Sequence, residues 1–103
     1  MILPFSPSPT AGKIGSATTT VASHDFSADV KGPKNTVLLS NIGTDTIYWR
    51  FRTTADTAAA TSADTALLAG TQQVFPISPD APVIDYVGAA TGSSLHAKLG
   101  IGV

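Results

Sequence analysis

The sequence contains no cysteine. Disulfides, thiolate zinc sites and a thiol nucleophile are therefore excluded, and stability has to come from packing and assembly. Glutamate is also missing, since all 7 acidic residues are Asp, and with it goes a strong helix former. Charged residues make up 13% of the chain and the net charge is −1, against about a quarter charged in a typical soluble domain. Such a surface is either covered in part by partners or kept wet by its many hydroxyls. No basic footprint exists for DNA or RNA, so no nucleic-acid partner is expected. No apolar run approaches the ~18 residues that would cross a bilayer, so no membrane partner is expected either. Residues 1–9 lack the basic and apolar regions of a signal peptide, which predicts synthesis and solubility in a cytoplasm.

What the chain does contain favours strands. Thr and Val suit a pleated, half-buried surface, and Gly, Pro, Asp and Asn punctuate it. A length of 103 residues fits one domain with one modest core. Residues 1–12, MILPFSPSPTAG, stand apart: Pro4, Pro7 and Pro9 exclude a helix and favour extended backbone. Ile2, Leu3 and Phe5 give this segment an apolar tip, which reads as an arm docking on a neighbouring subunit or as a frayed terminus. The chain divides into this arm, residues 1–12, and a domain, residues 13–103.

Strands are expected over 14–23 (one strand or a strand pair), 36–41, 46–52, 72–77, 83–90 and 95–103, with turn chemistry between them. The clearest period-two pattern is TIYWRFR at 46–52, where Ile47, Trp49 and Phe51 alternate with Tyr48, Arg50 and Arg52. With TVLLSN at 36–41 it reads as a β-hairpin. Residues 53–70 read as a long loop with a helical turn and a short edge strand, after which Leu67 and Leu68 return to the core. Pro76 marks an edge or a bulge. Short strands without intervening helices predict an all-β fold: a small antiparallel β-sandwich, jelly-roll-like or a Greek-key barrel, with an extended Pro-rich N-terminal arm. The expected core is Val37, Leu39, Ile47, Trp49, Phe51, Leu68, Val74, Ile84, Tyr86, Leu95, Leu99 and Ile101.

The residues offer little for catalysis, which needs a nucleophile or base with an orienting partner. His24 and His96 belong to no motif and read as surface histidines. No G-x-S-x-G, H-E-x-x-H, Walker A or G-x-G-x-x-G occurs. Asp56 and Asp64 are not spaced like a calcium loop and read as solvated carboxylates. Neither an enzyme nor a cofactor is expected. The most suggestive surface set is Tyr48, Arg50 and Arg52, which share one strand face and a composition common in binding hot spots. The plainer reading is a solvated face, or local pairing of the arginines with Asp residues such as Asp45 or Asp85. Trp49 shares its face with Ile47 and Phe51 and reads as a core anchor.

The order of residues from 36 to 103 resembles a type of small bacteriophage structural protein. The matching positions are Asn41, Gly43, Thr44, Ile47, Tyr48, Arg50 and Phe51 in the first stretch. Leu67, Gly70 and Phe75 follow, and then Thr91, Gly92, Ser93, Leu95, Gly100 and Gly102. Arg52 departs from a glycine that commonly follows the Phe. The resemblance implies a capsid decoration, or cement, protein: a β-sandwich on the virion surface, commonly a homotrimer, bound to the major capsid protein and stabilising the head. A tail, collar or head-fibre module binding a host-surface glycan is the alternative. The expected partner-binding residues are Ile2, Leu3, Phe5, Tyr48, Arg50 and Arg52.

Overall fold

Alternating apolar side chains in short, turn-bounded segments give a protein whose elements are all strands. The computed structural model describes residues 6–30, 36–56 and 60–101, and among these it contains no helix. The strands are β1 (Ser6–Ala17), β2 (Ala22–Asp25), β3 (Thr36–Gly43), β4 (Ile47–Arg52), β5 (Thr65–Leu67), β6 (Gln72–Pro76), β7 (Val83–Gly88) and β8 (Ser93–Ile101). They form two four-stranded sheets, β1-β8-β3-β6 (sheet I) and β2-β7-β4-β5 (sheet II). All pairings are antiparallel. The antiparallel all-β sandwich is as expected from the sequence, and the strand order, which the sequence left open, is that of an eight-strand jelly roll.

The core lies between the sheets. Sheet I contributes Val37, Leu39, Leu95, Ala97 and Leu99, and sheet II contributes Ile47, Trp49, Leu67, Ile84 and Tyr86. Trp49 is flanked by Phe51 and Phe75, with ring centroids 5.0 and 4.6 Å away in edge-on geometry. Phe26, just beyond β2, is fully buried. Its carbonyl accepts the Asp29 and Val30 amides, so the turn that follows is tied to it.

Three expectations change. The β3–β4 hairpin does not form: β3 pairs with β6 and β8, whereas β4 pairs with β5 and β7. Period two says which residues face the core but not which strand lies alongside. Val37 and Leu39 meet Ile47 and Trp49 across the gap between sheets, not on one face of one sheet. Leu68 is 61% and Val74 42% exposed, so neither is core. In β5 the alternation buries Leu67, and the turn closed by Thr71 onto the Leu68 carbonyl leaves Leu68 outside. In β6 the larger Phe75 takes the inward position and Val74 the outward one. Finally, residue 12 is not an element boundary, because β1 runs from Ser6 and Ser6 and Pro7 pair with Ile101 and Gly100. The apolar tip, Ile2, Leu3 and Phe5, lies outside the described residues, and so does the side chain of Ile101.

Candidate functional site

Four places carry the chemistry noted in the sequence. The first is the outer face of sheet II. Alternation on β4 sends Tyr48, Arg50 and Arg52 outward together, and all three are half-buried. Neither arginine stands open. The Arg50 guanidinium donates to Asp56 Oδ2 at 2.9 Å. Arg52 donates through Nε to Asp85 Oδ1 at 2.8 Å, and through NH1 to the Thr53 and Asp56 carbonyls. Asp85 is buried and also accepts from Ser23 Oγ at 2.6 Å. The start of the loop after β4, Thr53 to Asp56, is thus tied to this face. Asp45, the other candidate partner, instead accepts the Gly92 amide.

The second place is His24, which is buried between the sheets and not on the surface. Its ring packs on Tyr86 with centroids 4.7 Å apart. Its Nε2–H donates to the Leu95 carbonyl oxygen at 3.1 Å, joining β2 of one sheet to β8 of the other. Gly15 of β1 lies over this pair, where any side chain would run into the Tyr86 hydroxyl and the His24 ring. Burial holds the His24 pKa below its ordinary value; the Leu95 hydrogen bond opposes this, and the charges of Lys13 and His96 add to it. Burial likewise raises the Tyr86 phenol. The His24 carbonyl contact is an inter-sheet bolt, and no nucleophile is oriented by it. The sequence reading missed this role because a histidine outside any motif gives no sign of which sheet will cover it.

The third place is the acidic loop. Asp64 accepts the Thr61 amide, and Asp56 is held by Arg50. Among the described residues, no group of three or more His or Asp side chains could hold a metal ion.

The fourth place gathers several of the residues of the phage-type resemblance, Asn41, Gly43, Gly70, Gly92 and Ser93, at one end of the sandwich. Asn41 is buried, and its Nδ2 donates to the Asp45 and Leu67 carbonyls, both at 2.8 Å. Its backbone amide donates to the Thr71 carbonyl, and its carbonyl accepts the Gly70 amide. Ser93 Oγ donates to the Asp45 carbonyl at 2.7 Å and accepts the Asp45 amide. Gly43 has φ +140°, with the Gly92 carbonyl packed where a Cβ would stand. Asn41, Gly43, Gly70, Gly92 and Ser93 therefore lock three loops into one junction. Far apart in sequence, they meet as builders of the fold, and none is poised for a reaction.

Among the described residues, exposed apolar side chains also gather on the outer face of sheet I. Register places Gly12, Lys98, Leu38 and Val74 in one row and Ile14, His96, Ser40 and Gln72 in the next, with Ile42 beyond. Ile14 is 64% and Ile42 52% exposed.

No known protein family and no curated protein matches the chain. Among solved structures, it is similar to a protein of the Bacillus endospore appendages, described as a novel family of disulfide-linked pili. The TM-score is 0.54 at 12% sequence identity, over 90% of this chain and 84% of that one. At that identity the likeness is one of fold.

Proposed function

We propose that this protein is a non-catalytic structural module that works by packing into a large protein assembly. In its most specific form it is a bacteriophage capsid decoration protein, seated as a trimer on the major capsid protein and stabilising the head. The observation that carries the reading is the contrast between the two outer faces. Sheet II satisfies its arginines internally, and the start of its own loop is tied to it. Sheet I offers solvent a face on which Ile14, Ile42 and Val74 are exposed beside uncharged polar side chains such as Gln72. Such a face, repeated over many copies, contributes through multivalency even where each contact is weak. Ile2, Leu3 and Phe5 are proposed to reach a neighbouring subunit from the start of β1.

The test uses heads of the parent particle that lack this protein, mixed with the purified full-length chain. Saturable co-sedimentation, with density over shell three-fold positions in cryo-electron microscopy, supports the proposal. Intact heads that bind none of it at saturation would sink it. Deleting residues 1–5 is expected to weaken head binding; unchanged binding would remove the arm from the proposal.

A second reading is a subunit of an appendage or fibre, favoured by the fold shared with the pilus protein. With no cysteine in the sequence, links between copies of this chain would be non-covalent. Filaments formed by the purified protein would favour this reading over the head.

A further inference from the structure

A sheet face that sets exposed Ile14, Ile42 and Val74 among uncharged polar side chains, and carries no acid, can take an occupant, and its composition narrows the choice. The described outward positions of sheet I are Gly, Ser, Ile, Leu, Val, Gln, Thr and Pro, together with His96 and Lys98. All seven Asp residues lie elsewhere: in sheet II, in the turns, or in the loop after β4. Lys98 makes no ion pair among the described residues, and its side chain lies flat over Gly12. A Cβ on that glycine would sit 2.9 Å from Lys98 Cδ and 3.2 Å from Nζ. The charge is thereby laid over the edge strand, at the rim of the face, where water can still solvate it while the aliphatic stem presents apolar surface. Bulky and small side chains alternate, with Ile14, Leu38, Ile42 and Val74 set among Gly12, Ser40 and Ser94. Such a surface can interdigitate with another of its own kind, as the inner faces of a sandwich do.

We propose that the outer face of sheet I docks on the same face of a second copy of this chain, stacking two sandwiches sheet to sheet. Its size supports this occupant. Four strands about 4.8 Å apart, of 12, 9, 8 and 5 residues, cover on the order of 500 Å² per copy, so two copies bury about 1,000 Å², the lower bound of a specific interface. The contact is symmetric, the same patch on both copies, which is the commonest way a chain meets itself. Its modest size makes it reversible, a contact that forms at high local concentration. The proposal rests on the non-catalytic assembly reading above, not on its trimeric form, and adds a two-fold contact between copies.

Sedimentation velocity on the full chain over a wide concentration range tests it. Wild-type protein is expected to pass reversibly from monomer to dimer. Ile14→Asp and Val74→Asp lie on exposed edge-strand positions, so circular dichroism should show both folded. Each is expected to shift the dimerisation midpoint at least about tenfold higher, because it places a carboxylate in an apolar contact. Ile42→Lys repeats the test from another row, and Ala66→Asp, on the edge strand of the other sheet, should leave the midpoint unchanged. Wild-type protein that stays monomeric at about millimolar concentration overturns the proposal. A dimer that survives the sheet I substitutions also overturns it. In both cases the head-binding measurement with wild-type protein still decides the assembly reading separately.

Discussion

A histidine ring at the boundary between two sheets gives up its hydration before it can pack, and His24 does so as the neutral form, its Nε2–H held by the Leu95 carbonyl. Because burial lowers its pKa in the folded state, the unfolded chain, with an ordinary value of about 6.5, takes up the proton first as pH falls. Stability is therefore fully present above about pH 6.5, declines as pH drops below it, and levels off once the folded protein also protonates. Urea midpoints at about pH 7.5 and 5.5 should differ in that direction, and His24→Gln should flatten the difference; an undiminished slope in the variant would assign it to another group. Asn41 makes a second residue-scale case. Its amide satisfies two carbonyls inside the protein, so Asn41→Ala leaves both without that donor and is expected to cost about 2–4 kcal/mol in urea unfolding. Gly43→Ala should cost roughly 1–3 kcal/mol, because φ +140° is strained for any side chain and the Gly92 carbonyl occupies the space.

At the scale of the element, β4 shows how two neighbouring arginines on one strand face differ in weight. Arg52 neutralises Asp85, whose side chain is 4% exposed. Arg52→Ala strands a buried carboxylate with only Ser23 for company, and the expected loss is about 3 kcal/mol. Arg50 and Asp56 are 28% and 36% exposed, so Arg50→Ala should cost about 0–1 kcal/mol, since such pairs are screened by water. Parallel urea melts of the two variants check the contrast, and equal losses would contradict it. Alternation made this face readable in advance: Tyr48, Arg50 and Arg52 emerge together as the period predicts, with Asp85 among the foreseen partners. The neighbours of β4 were not readable. Eight strands in this order have seven connections, and only the one from β4 to β5 stays within a sheet. A turn such as NIGTDT looks locally like a hairpin, while the hydrogen bonds that send it across the gap come from Ser93 and Gly92, some 48 residues downstream of Asp45. The burial of His24 under Gly15 escaped for the same reason, since its cover comes from a strand in the other sheet.

At the scale of the whole molecule, the all-β character, the two-layer architecture and most of the core follow from composition and period, because burying one face of every strand leaves few arrangements of eight short strands. The limit of the N-terminal arm does not follow from them. A proline-rich segment reads as solvent-facing extended chain, yet extended chain is also what an edge strand requires, and proline is tolerated there. Sheet I uses residues 6–17 as that edge, against β8. Two truncations separate the roles. Removing residues 1–5 keeps every described pairing and is expected to leave the thermal midpoint close to that of the full chain. Removing residues 1–12 strips the Ser6–Gly12 part of β1 from β8 and bares the hydrogen-bonding edge of a central strand. That exposes backbone groups with no partner and an edge, Lys98–Ile101, whose single charge is a weak guard against pairing with other chains. The longer truncation is therefore expected to melt at clearly lower temperature and to aggregate on heating, as followed by circular dichroism and light scattering. If both truncations melt alike, the first half of β1 contributes nothing to the sheet, and the segment acts only on partners.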